Sequence, residues 1–409
     1  MADLLAQACA LVATLGLDGA GQGLVTRVET PMRSNGRKRL LGLFTELLFP
    51  GGIQRVSCSM AALMARYAED HDMDYALISL NDPKGCHDLK IDGTSFSVEA
   101  SGRNKTRFLQ SAIAAASGAM FLHIGHPNLA PLGMLLKTVW PRVRYVVSAH
   151  GVEVWHSLPV MRRLGLQCAD VVMVPSNFTA SKLVNAQRLA ASSVKVLPWG
   201  TDFAAVFAAE TAARPKLPRG KILLTVARLA KSERYKGIAS VIRAMTSVIR
   251  SVPDAYYVIV GDGDDRPELQ NLVNSLKLSS HVIFAGLRSD RELAQYYNSC
   301  DIFVMPSSKE GFGLVYVEAM AFGKVVVASR EGATPEIVVD GQTGILVDPG
   351  RPKELETSII HLLENDSVRE SMGIAGRARV EANYSLPQFQ KHFGALLSNI
   401  VNPGPGSSA

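Results

Sequence analysis

The sequence predicts an α/β fold of two doubly wound, Rossmann-like domains facing across a cleft. Three observations carry this. From Arg39 onward, short apolar runs alternate with longer segments of helical period. The alternation stops in an Ala-rich stretch containing Pro215 and Pro218, then restarts at Lys221. Glycines and charged residues recur just after the apolar runs, at the carboxyl ends of strands, where open α/β sheets bind ligands. The length of 409 residues suits two or three domains of roughly 100–200 residues each.

Residues 1–38 fit no repeating unit and read as an N-terminal extension. An N-terminal domain covers 39–203. Its expected strands are Leu40–Thr45, Asp74–Ser79, Ala119–His123, Arg144–Ser148, Val171–Val174 and Val194–Leu197, with helices such as Ile53–Tyr67, Lys105–Ala116 and Ser176–Leu189 between them. A linker is expected at 204–220. The second domain, 221–383, has strands at Lys221–Val226, Ala255–Val260, His281–Phe284, Ile302–Met305, Val325–Ala328 and Gly344–Val347. Its helices are expected at Gly237–Arg250, Pro267–Leu276, Asp290–Ser299, Leu314–Phe322, Lys353–Glu364 and Val368–Asn383. A last helix within 384–401 is expected to pack back towards the N-terminal domain, before a Pro-Gly-Ser tail at 402–409.

Composition excludes low-complexity disorder and collagen. Five widely spread cysteines, none in a C-x-x-C pair, form no disulfide framework and suit a reducing compartment. No apolar run reaches the roughly 18 residues of a spanning helix. Leu4–Leu17 is apolar but follows Asp3 instead of a basic stretch, unlike a signal peptide. The expected location is cytoplasmic, with peripheral contact on the inner face of the cell membrane. The net charge of +6 is unevenly placed: residues 1–200 hold 20 Lys and Arg against 14 Asp and Glu, whereas 201–409 hold 23 of each. The excess fits solubility alone, or an acidic partner of the first half such as a phosphate-bearing substrate or an anionic membrane.

Four strand-end loops carry chemistry. Pro50-Gly51-Gly52 opens a helix; it fits a plain turn, or backbone N–H groups approaching an anion. His150-Gly151 follows Arg144–Ser148 and fits a substrate contact or a hydrogen-bonded loop histidine. Arg228 and Lys236 lie on the loop after Lys221–Val226, as two cations suited to a diphosphate or as part of a solvated charged loop with Lys231, Glu233 and Arg234. The most specific segment runs from Glu310 to Glu318. Gly311 and Gly313 let the backbone close on a ligand, Phe312 to Leu314 begin a helix, and two carboxylates suit a polyhydroxyl ligand.

In this order, and together with Val196–Asp202, Gly261-Asp262-Gly263, Phe284-Ala285-Gly286, Gly332–Glu336 and Gly341–Val347, these pieces resemble the retaining glycosyltransferases of the GT-B fold, family four, across about Leu40–Phe393. The resemblance implies a hexose moved with retention from a UDP- or GDP-linked sugar donor to a hydroxyl of a glycan or lipid-linked acceptor, in cell-envelope or exopolysaccharide synthesis. It implies that Gly51, Gly52, Arg228 and Lys236 hold the donor diphosphate. Glu318 would take the ribose, and the backbone near Leu287 would meet the base. Glu310 and the backbone of Phe312, Gly313 and Leu314 would hold the sugar, with His150 also reaching it. Glu310, His150, Arg228 and Lys236 are the expected catalytic set, with no metal and no cofactor beyond the donor. Arg228 and Lys236 stand eight apart, longer than the tightest family versions.

Several features are weighed as decoys. His123-Ile124-Gly125-His126 spells the HIGH motif of class I aminoacyl-tRNA synthetases but lacks its lysine-rich partner, and no nucleic-acid partner is expected. Asp262-Gly263-Asp264 reads as a turn instead of a metal site. Leu129–Trp140, flanked by Lys137, Arg142 and Arg144, fits an interfacial helix or one covering a sheet. The competing functions are a sugar-nucleotide epimerase and a nucleotide-sugar-binding protein that transfers nothing.

Overall fold

The computed structural model describes residues 37–49, 51–201 and 215–401. Most of the expected extension, Pro50, the linker before 215 and the tail lie outside the described residues. The chain divides into two compact units. Among the described residues, one is drawn from those up to Met173, from Leu183–Lys195 and from Phe393 onward, the other from Val174–Lys182 and from those between Val196 and His392. Residues 174–182 and 196–201, read from sequence as part of the first domain, therefore group with the second unit, and the last helix, Leu386–Val401, contributes to both.

The first sheet has eight strands: β1 (Arg39–Phe44), β2 (Asp74–Ser79), β3 (Gly85–Ile91), β4 (Thr94–Ala100), β5 (Ala119–Ile124), β6 (Arg144–Ser148), β7 (Val171–Val174) and β8 (Val194–Val196). Their spatial order is β3-β4-β2-β1-β5-β6-β7-β8. The central strands are apolar on both faces because helices cover a parallel sheet; Leu40, Leu41 and Leu43 of β1 are wholly buried. One edge departs from the parallel pairing of a doubly wound sheet. β3 pairs antiparallel with β4 across a two-residue turn, Asp92-Gly93, both at positive φ. That dipeptide is a strong hairpin signal. The polar residues of β3 hid the strand from a search for apolar runs.

Segment Leu129–Trp140 contains the helix Ala130–Val139, and it covers the sheet. Ala130, Gly133 and Leu136 are buried, and a Cβ on Gly133 would lie 2.9 Å from the Tyr145 ring of β6. Two of the cations beside it, Lys137 and Arg144, are engaged by Asp170, just before β7. Asp170 accepts from Lys137 Nζ at 2.8 Å, Arg144 Nη1 at 2.7 Å and the Tyr145 backbone N–H at 2.8 Å.

The second sheet holds β9 (Lys221–Val226), β10 (Ala255–Val260), β11 (Val282–Gly286), β12 (Ile302–Met305), β13 (Val325–Ser329) and β14 (Gly344–Val347). All its pairings are parallel, in the order β11-β10-β9-β12-β13-β14. The order reverses between β9 and β12 here, and between β1 and β5 in the first sheet. Such reversals are where doubly wound sheets open a ligand crevice.

The Asp170 cluster generates a stability test. Burial raises its carboxyl pKa, but the hydrogen bonds from Lys137, Arg144 and the Tyr145 N–H outweigh burial and lower it overall. A depressed folded pKa gives stability that is present above the unfolded value and lost as pH falls through the folded one. Asp170→Asn should therefore cost about 2 kcal/mol at pH 7, allowing for the exposure of Arg144. The gap to wild type should close in acid-titrated thermal melts. A gap independent of pH would assign the cost to packing instead.

Candidate functional site

In the first unit, the loops after β1, β5 and β6 converge. Asp82, wholly buried, accepts from the backbone N–H groups of Leu47 (2.8 Å) and Leu48 (3.0 Å) and so fixes the chain leaving β1. Gly51 is the N-cap of the helix Gly52–Asp70, and no side chain caps that end. The Gly125 N–H after β5 donates to Leu43 O of β1, and His150 Nε2 after β6 donates to Gly125 O at 2.9 Å. Glu153 accepts from the N–H groups of His150 and Gly151, setting that loop. His126 stacks on His150 with ring centroids 6.2 Å apart. His123 lies inside β5, wholly buried, 2.8 Å from Ser148 Oγ. Burial pushes its pKa down to about 3, so it is neutral, unlike a phosphate-closing histidine.

In the second unit, Arg228 follows β9 and leads to a 3₁₀ segment, Lys231–Lys236. The other charged residues of this loop are engaged nearby. Lys231 pairs with Glu268 at 2.7 Å, and Arg234 Nε donates to Asp265 at 2.8 Å. Arg228 and Lys236 instead share one carboxylate, Glu233, with Lys236 Nζ at 2.8 Å. Gly237 turns the chain back at φ +77°, and a Cβ there would lie 2.8 Å from Pro306 O, so only glycine lets Lys236 come this close to the end of β12.

Glu310 follows β12, across the point of strand reversal from Arg228. Its backbone oxygen accepts from the Ala333 N–H at 2.8 Å. Its carboxylate Oε2 is buried with no hydrogen-bond partner among the described residues. Burial raises its pKa, and the Lys236 charge opposes this. The Gly311 oxygen accepts from Ser176 Oγ (2.7 Å) and Thr179 Oγ1 (3.1 Å), which anchors the loop. The helix expected to begin at Phe312 begins at Leu314, with Gly313 as its left-handed N-cap. Phe312 is core: it is 4% exposed and packs edge-on to Tyr384. Glu318 is buried on that helix and accepts from Tyr297 Oη at 2.7 Å. Leu287, just after β11, is 69% exposed, a large apolar side chain among polar loops.

Arg228, Lys236, Leu287 and Glu310 thus stand at the carboxyl ends of β9, β11 and β12 in one sheet, with Glu318 on the helix that follows. Gly51, Gly52 and His150 stand at the corresponding ends of β1 and β6. Sequence reasoning missed Asp82 and Tyr297, whose roles rest on contacts 34 and 21 residues away. It named Glu233 only as part of a charged loop. The Asp262-Gly263-Asp264 turn is bound to its neighbours: Asp262 accepts from Arg266 at 2.9 Å and Asp264 from the Lys231 N–H at 2.9 Å.

Glu310 also generates a stability test. An acid whose folded pKa is raised gives full stability below its unfolded value and loses it as pH rises through the folded one. Glu310→Gln should therefore melt above wild type at pH 8, with the difference shrinking below about pH 4. Equal melting at pH 8 would mean the carboxylate carries no burial cost.

The model of the family "Glycosyl transferases group 1" matches residues 208–379. The GDP-mannose-dependent alpha-(1-6)-phosphatidylinositol monomannoside mannosyltransferase of Mycolicibacterium smegmatis is 36% identical over 290 residues, covering 67% of this chain and 74% of that protein. The N-acetyl-alpha-D-glucosaminyl L-malate synthase of Bacillus anthracis is 26% identical, covering 69% and 74%. Among solved structures, a sucrose-phosphate synthase from Thermosynechococcus elongatus aligns with a TM-score of 0.74 at 21% identity, covering 89% of this chain and 99% of that one. Anabaena HepE in complex with UDP aligns at 0.69 and 19%, covering 88% and 100%. These structural likenesses bear out the GT-B fold, and the sequence relatives bear out the family: this chain belongs to the group 1 glycosyl transferases and is a glycosyltransferase.

Proposed function

We propose that the chain moves a hexose, with mannose the leading choice, from a UDP- or GDP-linked donor to a hydroxyl of a glycan or lipid-linked acceptor, with retention, in cell-envelope or exopolysaccharide synthesis. The observation that carries this is that two cations, Arg228 and Lys236, gathered at the end of β9, lie across the strand reversal from the buried Glu310 carboxylate, one oxygen of which has no hydrogen-bond partner among the described residues. Mannose and GDP are favoured by the mycobacterial relatives, which are GDP-mannose-dependent mannosyltransferases of a phosphatidylinositol monomannoside.

In this reading, negative charge grows on the diphosphate as the glycosidic bond breaks. Arg228 and Lys236 stabilise it, an electrostatic contribution that is commonly the largest in catalysis. The anomeric carbon becomes oxocarbenium-like, and Glu310 positions the sugar and steadies that positive charge. The acceptor hydroxyl enters on the leaving-group face and gives its proton to the departing phosphate, so no protein nucleophile is needed. Glu318 takes ribose hydroxyls, Leu287 lies against the base, and the backbone of Phe312, Gly313 and Leu314 contacts the sugar. Gly51, Gly52 and His150 keep the donor contacts that the family resemblance assigns them. The two cations meet the diphosphate charge without a metal. Among the described residues no helix is long and apolar enough to cross a membrane; a lipid-linked acceptor would be met peripherally.

A donor screen that reads nucleotide release, with a phosphatidylinositol mannoside or lipid-diphosphate oligosaccharide as acceptor, tests the reading. Release should require acceptor and favour GDP-mannose. It should survive chelation and be faster when the acceptor sits in anionic vesicles than in neutral ones at low salt. Release without acceptor, or interconversion of the donor sugar, would favour the binding-protein or epimerase alternative. Glu310→Gln should bind nucleotide normally yet lose transfer by about a hundredfold or more. Near-normal turnover would sink the role of Glu310.

A further inference from the structure

Glu233 has no part among the donor contacts just assigned, yet it occupies their centre. Its side chain is 11% exposed and its carboxylate touches both Arg228 and Lys236. Arg228 is 73% exposed and makes no other ion pair among the described residues. The 3₁₀ segment is kinked at Glu233 itself, at φ −114° and ψ 22°. Beside it opens a cavity of about 610 Å³, which Glu233 and Arg228 line together with Arg234, Arg243, Asp265 and Asn271. Glu233 falls within the eight-residue spacing between Arg228 and Lys236 and meets both.

We propose that Glu233 is a resident counter-ion of the diphosphate site: it keeps Arg228 and Lys236 gathered when the site is empty and weakens their hold on the released nucleoside diphosphate. The proposal rests on the reading that these two cations take the donor diphosphate. The charges give the reasoning. Arg228 and Lys236 alone carry two positive charges, and with Glu233 they carry one. An incoming diphosphate must share the cations with this carboxylate or displace it, and the adjoining cavity gives it room to move. The departing phosphate takes the acceptor's proton, and once that proton passes to solvent the nucleoside diphosphate carries one more negative charge than the donor had. Two unopposed cations would therefore hold product more tightly than substrate, and a fixed carboxylate repels the product more. Glu233 is a positioning residue that acts through the cations and touches no reacting atom.

The test is calorimetric titration of wild type and Glu233→Gln with GDP and UDP, and with guanosine and uridine. The nucleoside diphosphates should bind about three- to tenfold more tightly to the variant, while the nucleosides are unchanged. The salt dependence of diphosphate binding should steepen. In steady state kcat and KM should fall together, because release of product slows. In an Arg228→Gln background the tightening from Glu233→Gln should shrink, as expected for groups in direct contact. Unchanged or weaker diphosphate affinity in Glu233→Gln would overturn the proposal and make Glu233 a structural brace. Undiminished tightening in the Arg228→Gln background would also overturn it. Wild type that binds neither GDP nor UDP would overturn the reading of the site itself and this proposal with it. Glu233→Asp keeps the charge on a shorter arm and should stay within about twofold of wild type; tightening as large as that of the glutamine variant would count against the role of charge.

Discussion

A parallel sheet cannot turn back on itself through a tight hairpin. Each strand must be followed by a crossover, and where the strand order reverses, neighbouring crossovers leave on opposite faces and part the loops between them. That constraint places everything else in this protein. In the second sheet it sets the loop after β9 beside the loop after β12, and so Arg228 and Lys236 opposite Glu310. In the first sheet it sets the loops after β1 and β5 side by side, where the Gly125 N–H reaches Leu43 and His150 reaches Gly125. The side chains differ between the units, but the gap that receives them has one origin.

Within that gap the charges are held by local devices. Glu233 draws two cations together, Lys236 tempers the burial of Glu310, and Tyr297 holds Glu318. Neighbouring ion pairs, Lys231 with Glu268 and Arg234 with Asp265, keep other charges of the same loop engaged elsewhere. The loop therefore presents two cations from a sequence that contains four. Glu310 is the costly member: it is withdrawn from water with one oxygen unpaired, and that burial raises its pKa.

Much of this was legible in the sequence, and the physical reason is local. Strands of a helix-covered sheet are largely apolar runs, so β1, β2 and β5 to β14 lie within a residue or two of where the sequence places them. Their carboxyl ends then pointed to Gly52, His150, Arg228 and Glu310 without knowledge of any contact. Three things escaped. The hairpin β3–β4 alternates polar and apolar residues, a different period from the one sought. Asp82 and Asp170 collect backbone and side-chain donors more than 20 residues away, and spacing carries no trace of that. Glu233 looked like one charge among several, because which cation it meets is decided by a kink in the 3₁₀ segment.

The same hairpin has a consequence for the protein in a crowded solution. β3 is the outermost strand of the first sheet, and its residues alternate between half-buried and exposed, with His87, Asp88 and Lys90 among them. Behind it, β4 alternates buried and exposed residues and carries the core residues Phe96 and Val98. Without the hairpin, β4 would present an open row of backbone donors and acceptors above an apolar face, a template for another chain to join. A last strand that carries His87, Asp88 and Lys90 ends the sheet there. The departure from a parallel plan is thus a guard against edge-to-edge aggregation.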